Sequence, residues 1–224
     1  MPAHLRPSAP TAADALLCGD PARALAIAQA LLVKPRMSNH NRGLWGYHGQ
    51  TPSGAELTVQ ATGIGGPSAA IVIGELAELG LRRAIRVGTC AAPGPEPALG
   101  AKLLVERAIA EDGTSRALGA EPGEPVWPDR ELTAALGAGP GIVPATVLSA
   151  DLPPRPGEPP AGTDVGDLQT AAVIVSAGRH RIAAAAGLVV GASAGRRLED
   201  EPLESRLLEL ARAAAEALEV SSSG

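Results

Sequence analysis

Between Leu57 and Cys90 the chain reads as strand, glycine-rich turn, amphipathic helix and strand, and this run constrains the fold more than any composition figure. Leu57 to Thr62 is a short strand. The turn Thr62-Gly63-Ile64-Gly65-Gly66-Pro67-Ser68 follows, and its glycines let backbone amides approach a ligand or another strand closely. Ser68 is placed to cap a helix whose apolar positions Ile71, Val72, Leu76 and Leu79 recur at three- and four-residue steps, and Gly80 ends it. The strand from Ala84 to Cys90 buries Ile85 and Val87, carries Arg86 between them and stops at Gly88-Thr89. An arginine inside such a strand is costly unless something anionic meets it. Phosphate suits that need, because a guanidinium fork matches its geometry while a hydroxyl and free amides complete the shell. A glycine-rich turn with one arginine paired to a core carboxylate accounts for the same residues.

The turn, together with Arg86-Val87-Gly88-Thr89-Cys90, resembles the nucleoside phosphorylase family that contains uridine phosphorylase and the hexameric bacterial purine nucleoside phosphorylases. The resemblance runs from about His4 to the last helix, with specific motifs in the first half and eroded ones in the second. It implies a single-domain α/β fold with a mixed central β-sheet flanked by helices. That domain is expected over residues 1–219, with a disordered Ser/Gly tail at 220–224. The resemblance further implies a homodimer or hexamer, a nucleoside and inorganic phosphate as the two substrates, and no cofactor.

A chain of 224 residues is long enough for one well-buried domain, and no Ser/Gly linker divides it. Two Trp, one Tyr and no Phe leave the core to Ala, Val, Leu and Ile, and leave any nucleobase pocket with little ring stacking. The net charge of −5 argues against a nucleic-acid backbone as main partner, while allowing a small anion held locally. Cys18 and Cys90 lie in apolar strand-like contexts without metal-ligand spacing, which reads as two buried thiols in a reducing compartment. The first ten residues carry no apolar run of signal-peptide length, no stretch approaches a membrane span, and a cytoplasmic protein is expected.

Ala15 to Cys18 is a second buried strand, running into Gly19-Asp20-Pro21-Ala22-Arg23. Asp20 caps and Pro21 opens a helix to Leu32, so free amides stand at a positive helix end with Arg23 one turn inside. On the motif alone, an ordinary capped helix with a solvated arginine is the commoner meaning of such a turn. By the resemblance, this is the first phosphate loop: Gly19, Arg23, Arg86 and Thr89 hold phosphate, joined by Arg42 of Arg42-Gly43 from a neighbouring subunit. His4 resembles a family histidine that crosses to the partner's ribose site, although a lone histidine there also reads as merely exposed. Met37 to His48 reads as strand and turn.

Leu99 to Val105 and Ala108 to Ala110 read as strand, Asp112-Gly113-Thr114 as a turn, Asp129 to Leu136 as a helix and Gly141 to Ser149 as a strand. Beyond these the sequence departs from the family. The loop Pro153 to Pro160 lacks the aromatic pair, or the Gln and Arg, that family members set against the base; Arg155 is the candidate substitute. Asp167-Leu168-Gln169 falls where the family has Glu-Met-Glu, which places these three residues at the substrate. Gln169 cannot supply the charge that a glutamate gives a developing oxocarbenium ion, and it reads equally well as a polar residue starting the next helix. Purine phosphorylases of the family carry Ser-Asp, whose aspartate protonates the purine, where this chain has Ser193-Ala194; pyrimidine phosphorylases use an arginine near this point instead, and by that resemblance Arg196 or Arg197 assists a departing base. The expected activity is phosphorolysis of an N-glycosidic bond with altered base specificity. Arg86, Gln169 and Arg197 are its catalytic candidates, and no metal is expected. A catalytically weak member that binds nucleoside or phosphate is the alternative, and a phosphate-independent nucleosidase a third reading.

Overall fold

The computed structural model describes residues 2–153 and 162–221. Strand β1 (Asp14–Cys18) turns at Gly19 into helix α1 (Pro21–Leu31). Asp20 caps that helix as expected, its carboxylate accepting from the Arg23 amide at 2.9 Å. Strands β2 (Val33–Asn39), β3 (Gly46–Gln50) and β4 (Glu56–Ala61) form an antiparallel meander, with a 3-10 turn at Asn41–Gly43 between the first two. Helix α2 (Gly65–Glu78) leads to β5 (Arg83–Ala92). Then follow β6 (Lys102–Ala110), α3 (Gly113–Ala117), β7 (Glu124–Val126), α4 (Arg130–Gly137) and β8 (Ile142–Ser149). The chain continues through β9 (Val165–Asp167), α5 (Thr170–Arg179), β10 (Ala183–Ser193), β11 (Arg196–Arg197) and α6 (Asp200–Val220).

All the strands belong to one mixed sheet flanked by helices, the architecture expected of the sequence. Strand β5 pairs parallel with β1 and β10 and antiparallel with β9. Because β10 also pairs with β6, β6 with β8 and β8 with β9, these five strands close on themselves, while β4, β3 and β2 extend outward from β1. Successive residues of β1 serve opposite faces. Leu16 packs with Ile27 of α1 and Leu210 of α6, and Leu17 with Val72 and Ile73 of α2 and Val173 of α5. A third cluster, with Leu103, Val105, Val147 and Leu188, lies among the closed strands. Aliphatic side chains thus do the work that aromatic rings do elsewhere.

Several local expectations need correction. Helix α2 starts at Gly65, so Ser68 lies inside it and donates its hydroxyl to the Thr62 carbonyl at 2.6 Å instead of capping. Strand β5 continues through Gly88-Thr89 to Ala92, because β10 pairs with it along that length. The two strand segments after Leu99 are one strand, with a register irregularity between Val105 and Arg107. Asp112-Gly113-Thr114 opens a short helix: Asp112 accepts from both the amide and the hydroxyl of Ser115, a local pattern that favours helix over open turn. Helix α6 reaches Val220, one residue past the expected domain end. Arg155, most of its proline-rich loop and residues 222–224 lie outside the described residues.

Candidate active site

Arg86 is 5% exposed, and its guanidinium is surrounded by protein acceptors. Nη2 donates to Asp167 Oδ2 at 3.0 Å, Nη1 to Gln169 Oε1 at 2.7 Å and Nε to Thr170 Oγ1 at 3.1 Å. The Asp167 carboxylate also accepts from the Ser149 hydroxyl at 2.6 Å, and from the Thr170 hydroxyl at 2.6 Å and the Thr170 amide. Register explains why these groups meet: Ser149 and Asp167 are paired across β8 and β9, and α5 begins three residues later. Gly88, two residues along the same face of β5, makes room for the side chain. A Cβ there would lie 2.7 Å from the guanidinium carbon. The carboxylate-paired reading of Arg86 therefore holds, and the partner is Asp167.

One edge of this cluster forms the wall of a cleft of about 630 Å³. Gly19, Asp20 and Arg23 come to it from the β1–α1 joint, Gly63 to Gly65 from the turn before α2, and Thr89 to Pro93 from β5 and its end. Gly166 to Gln169 form its floor beside Arg86, and Ser193, Gly195, Arg196 and Arg197 form a rim from the β10–β11 hairpin. Arg23 is half-buried, and burial pushes its guanidinium below the ordinary arginine value; Cys18 and the Asp20 carboxylate act against that shift and the nearby Arg86 charge adds to it. Among the described residues its guanidinium has no hydrogen-bond or ion-pair partner. A partly desolvated cation whose N–H groups have no acceptor among the described residues is a site that an anion would stabilise. The Cys18 thiol at the end of β1 is pushed up to about 12 by burial, and that of Cys90 rises for the same reason, with Asp167 adding to it; both stay neutral thiols.

Of the residues anticipated at the site, Gly19, Arg23, Arg86, Thr89, Asp167, Leu168, Gln169, Arg196 and Arg197 all line this cleft. Arg196 and Arg197 are exposed on its rim, and Leu168 is half-buried. Asp167 and Gln169 are both buried, and protein groups occupy their hydrogen-bonding positions. His4 and Arg42 lie outside the lining. His4 Nδ1 is 2.7 Å from Glu75 Oε1, and Arg42 is exposed in the 3-10 turn with a φ of 57°. Thr62, Ser149 and Thr170 were missed. Only the Asp167-x-x-Thr170 spacing, a helix-start pattern, offered a local signal for the last of them.

The fold and the cleft define an α/β protein with an arginine-lined cleft at the ends of its parallel strands. Residues 14–222 match the family model described as Phosphorylase superfamily, and the chain belongs to that family. A DeoD-type purine nucleoside phosphorylase of Oceanobacillus iheyensis is 46% identical over 78 residues, 34% of this chain and 33% of the relative. A uridine phosphorylase of Treponema pallidum is 42% identical over 125 residues, 54% of this chain and 46% of the relative. The matched stretches thus span a third to about half the length of these curated relatives. The crystal structure of uridine phosphorylase from Vibrio fischeri ES114 superposes with a TM-score of 0.79 at 21% identity, covering 96% of this chain and 93% of that one, which establishes the shared fold.

Proposed function

We propose that this chain is a nucleoside phosphorylase: phosphate attacks the anomeric carbon of a nucleoside, the N-glycosidic bond breaks, and free base and (deoxy)ribose 1-phosphate leave. The observation that carries the reading is Arg23, a half-buried guanidinium with no hydrogen-bond or ion-pair partner among the described residues, beside Gly19 and Thr89 in a cleft shared with Arg86. Arg23 and Thr89 bind the phosphate oxygens, and Arg86, held by Asp167, turns its remaining N–H groups toward the same anion. Attack forms the new carbon–oxygen bond at the sugar as the bonding pair leaves with the base. Arg196 and Arg197 at the rim offset the charge that gathers on that base. Holding phosphate against the sugar supplies much of the rate, since effective molarity is worth roughly 7 to 11 kcal/mol. No cofactor takes part. Arg42 and His4 complete the site of a second copy in a homodimer or hexamer, and the rebuilt base half gives altered base specificity.

A second reading, a member that binds phosphate or nucleoside with little turnover, is favoured by one observation: Asp167 and Gln169 are engaged by protein and offer no free carboxylate to the sugar. Base release from a panel of purine and pyrimidine nucleosides, with and without phosphate, separates the two. Phosphate-dependent release that Arg23→Ala abolishes is the expected result. No release from a folded protein that phosphate stabilises selects the binding reading, and release independent of phosphate makes it a nucleosidase.

A further inference from the structure

Gln169 stands where the cleft floor meets the glycine-rich turn, and its amide is committed to protein. Nε2 donates to the carbonyl oxygens of Gly63 and Gly65 at 2.9 Å each. Oε1 accepts from Arg86 Nη1 at 2.7 Å, and Thr62 Oγ1 lies 2.9 Å away, its hydroxyl shared with the Cys18 carbonyl. A primary amide has two N–H groups and two acceptor positions, and here all four face partners while the residue is only 3% exposed. Turning the amide over would aim its oxygen at two carbonyls and its N–H groups at a guanidinium. A carboxylate in its place would meet the same two carbonyl oxygens with no hydrogen to donate. In this chain the turn and the arginine together are matched to an amide at this position.

We propose that Gln169 is a positioning residue for the anion half of the cleft: it fixes the Gly63–Gly65 turn and the Nη1 edge of Arg86, and it binds no sugar hydroxyl. The inference rests on the phosphate reading above. It has two consequences. Disturbing the amide weakens phosphate binding, and residue 169 does not separate ribose from 2-deoxyribose.

Calorimetric titration of the wild type, Gln169→Glu and Gln169→Leu with inorganic phosphate tests the first consequence. Titration of the wild type and Gln169→Leu with ribose 1-phosphate and 2-deoxyribose 1-phosphate tests the second. Gln169→Glu, which places a charge against two carbonyls and beside the anion, weakens phosphate about tenfold or more, and Gln169→Leu weakens it by a smaller factor. The two sugar phosphates bind the wild type within about threefold of one another. Should neither variant fold, Thr62→Val, which removes one hydroxyl from the same cluster and keeps its shape, weakens phosphate about threefold. Unchanged phosphate affinity in the folded variants, whatever their melting temperatures, overturns the proposal. So does a tenfold preference for ribose 1-phosphate that Gln169→Leu erases. A wild type that binds phosphate in neither form overturns the phosphorylase reading together with this one.

Discussion

Two arginines share the cleft, and their surroundings predict opposite consequences of removal. Arg86 and Asp167 form an ion pair at 3.0 Å with side chains 6% and 1% exposed. Arg86→Ala leaves that carboxylate buried and unpaired, which costs about 3–5 kcal/mol, so loss of activity in this variant would reflect loss of fold as much as loss of phosphate. Arg23 has no such partner among the described residues, and removing it strands no charge. Arg23→Ala is expected to keep its unfolding free energy within about 0.5 kcal/mol of wild type and to lose phosphate affinity about tenfold or more. Urea denaturation beside phosphate titration reads both; a strongly destabilised Arg23→Ala would mean that this cation has a structural duty. Ala194 makes a further residue-scale case. It has a φ of 47° in the tight turn between β10 and β11, a backbone region that asparagine tolerates better than alanine. Ala194→Asn should raise stability by about 0.5–1 kcal/mol, measured by the same denaturation.

At the scale of elements, helix α2 does two jobs: its first turn carries the glycine-rich bend, and its Glu75 anchors the first residues of the chain. Glu75 accepts from the amides of Ala3, His4 and Leu5 and lies against the His4 ring. Burial alone would raise its pKa, but these hydrogen bonds outweigh burial and hold it down to about 2, below its ordinary 4.5. A depressed carboxylate stabilises the folded state above the unfolded pKa and loses that contribution as pH falls through the folded one. Protection of the Ala3, His4 and Leu5 amides against hydrogen exchange, corrected for intrinsic rates, should hold above pH 4.5 and fade toward about 2. Glu75→Gln should lack that dependence, and protection that stays flat in the wild type would rule the anchor out. The elements also show what was legible beforehand. The strand, turn and helix of β4 and α2, the Asp20 cap and the arginine between Ile85 and Val87 are local patterns of period and capping, and they read correctly. The partner of that arginine is 81 residues away on a three-residue strand, too short to carry a periodic signal. Gln169 likewise joins groups more than a hundred residues apart, so spacing alone gave no means of telling a substrate ligand from a filled amide.

For the whole molecule, the proposal turns on where His4 and Arg42 act. Both lie outside the lining of their own cleft, and the Asn41 side chain, which donates to the His4 carbonyl at 2.6 Å, joins their two segments on one part of the surface. If that surface meets a second copy, each cleft takes Arg23 from its own chain and Arg42 from the other. Complementation distinguishes this from two independent clefts. Arg23→Ala and Arg42→Ala are each expected to release base at a small fraction of the wild-type rate. Mixed as unfolded chains and refolded together, they pair at random, and half of the resulting dimers are hybrids. Within a hybrid, the cleft of the Arg42→Ala chain keeps its own Arg23 and receives an intact Arg42 from its neighbour, while the other cleft lacks both. Activity should therefore return to about a quarter of the wild-type value. Should Arg42 act within its own chain, or on no cleft at all, mixing restores nothing. Sedimentation of the same refolded sample shows whether hybrids formed, so a null result in assembled protein counts against the shared site and leaves the single-chain cleft to account for whatever activity the wild type has.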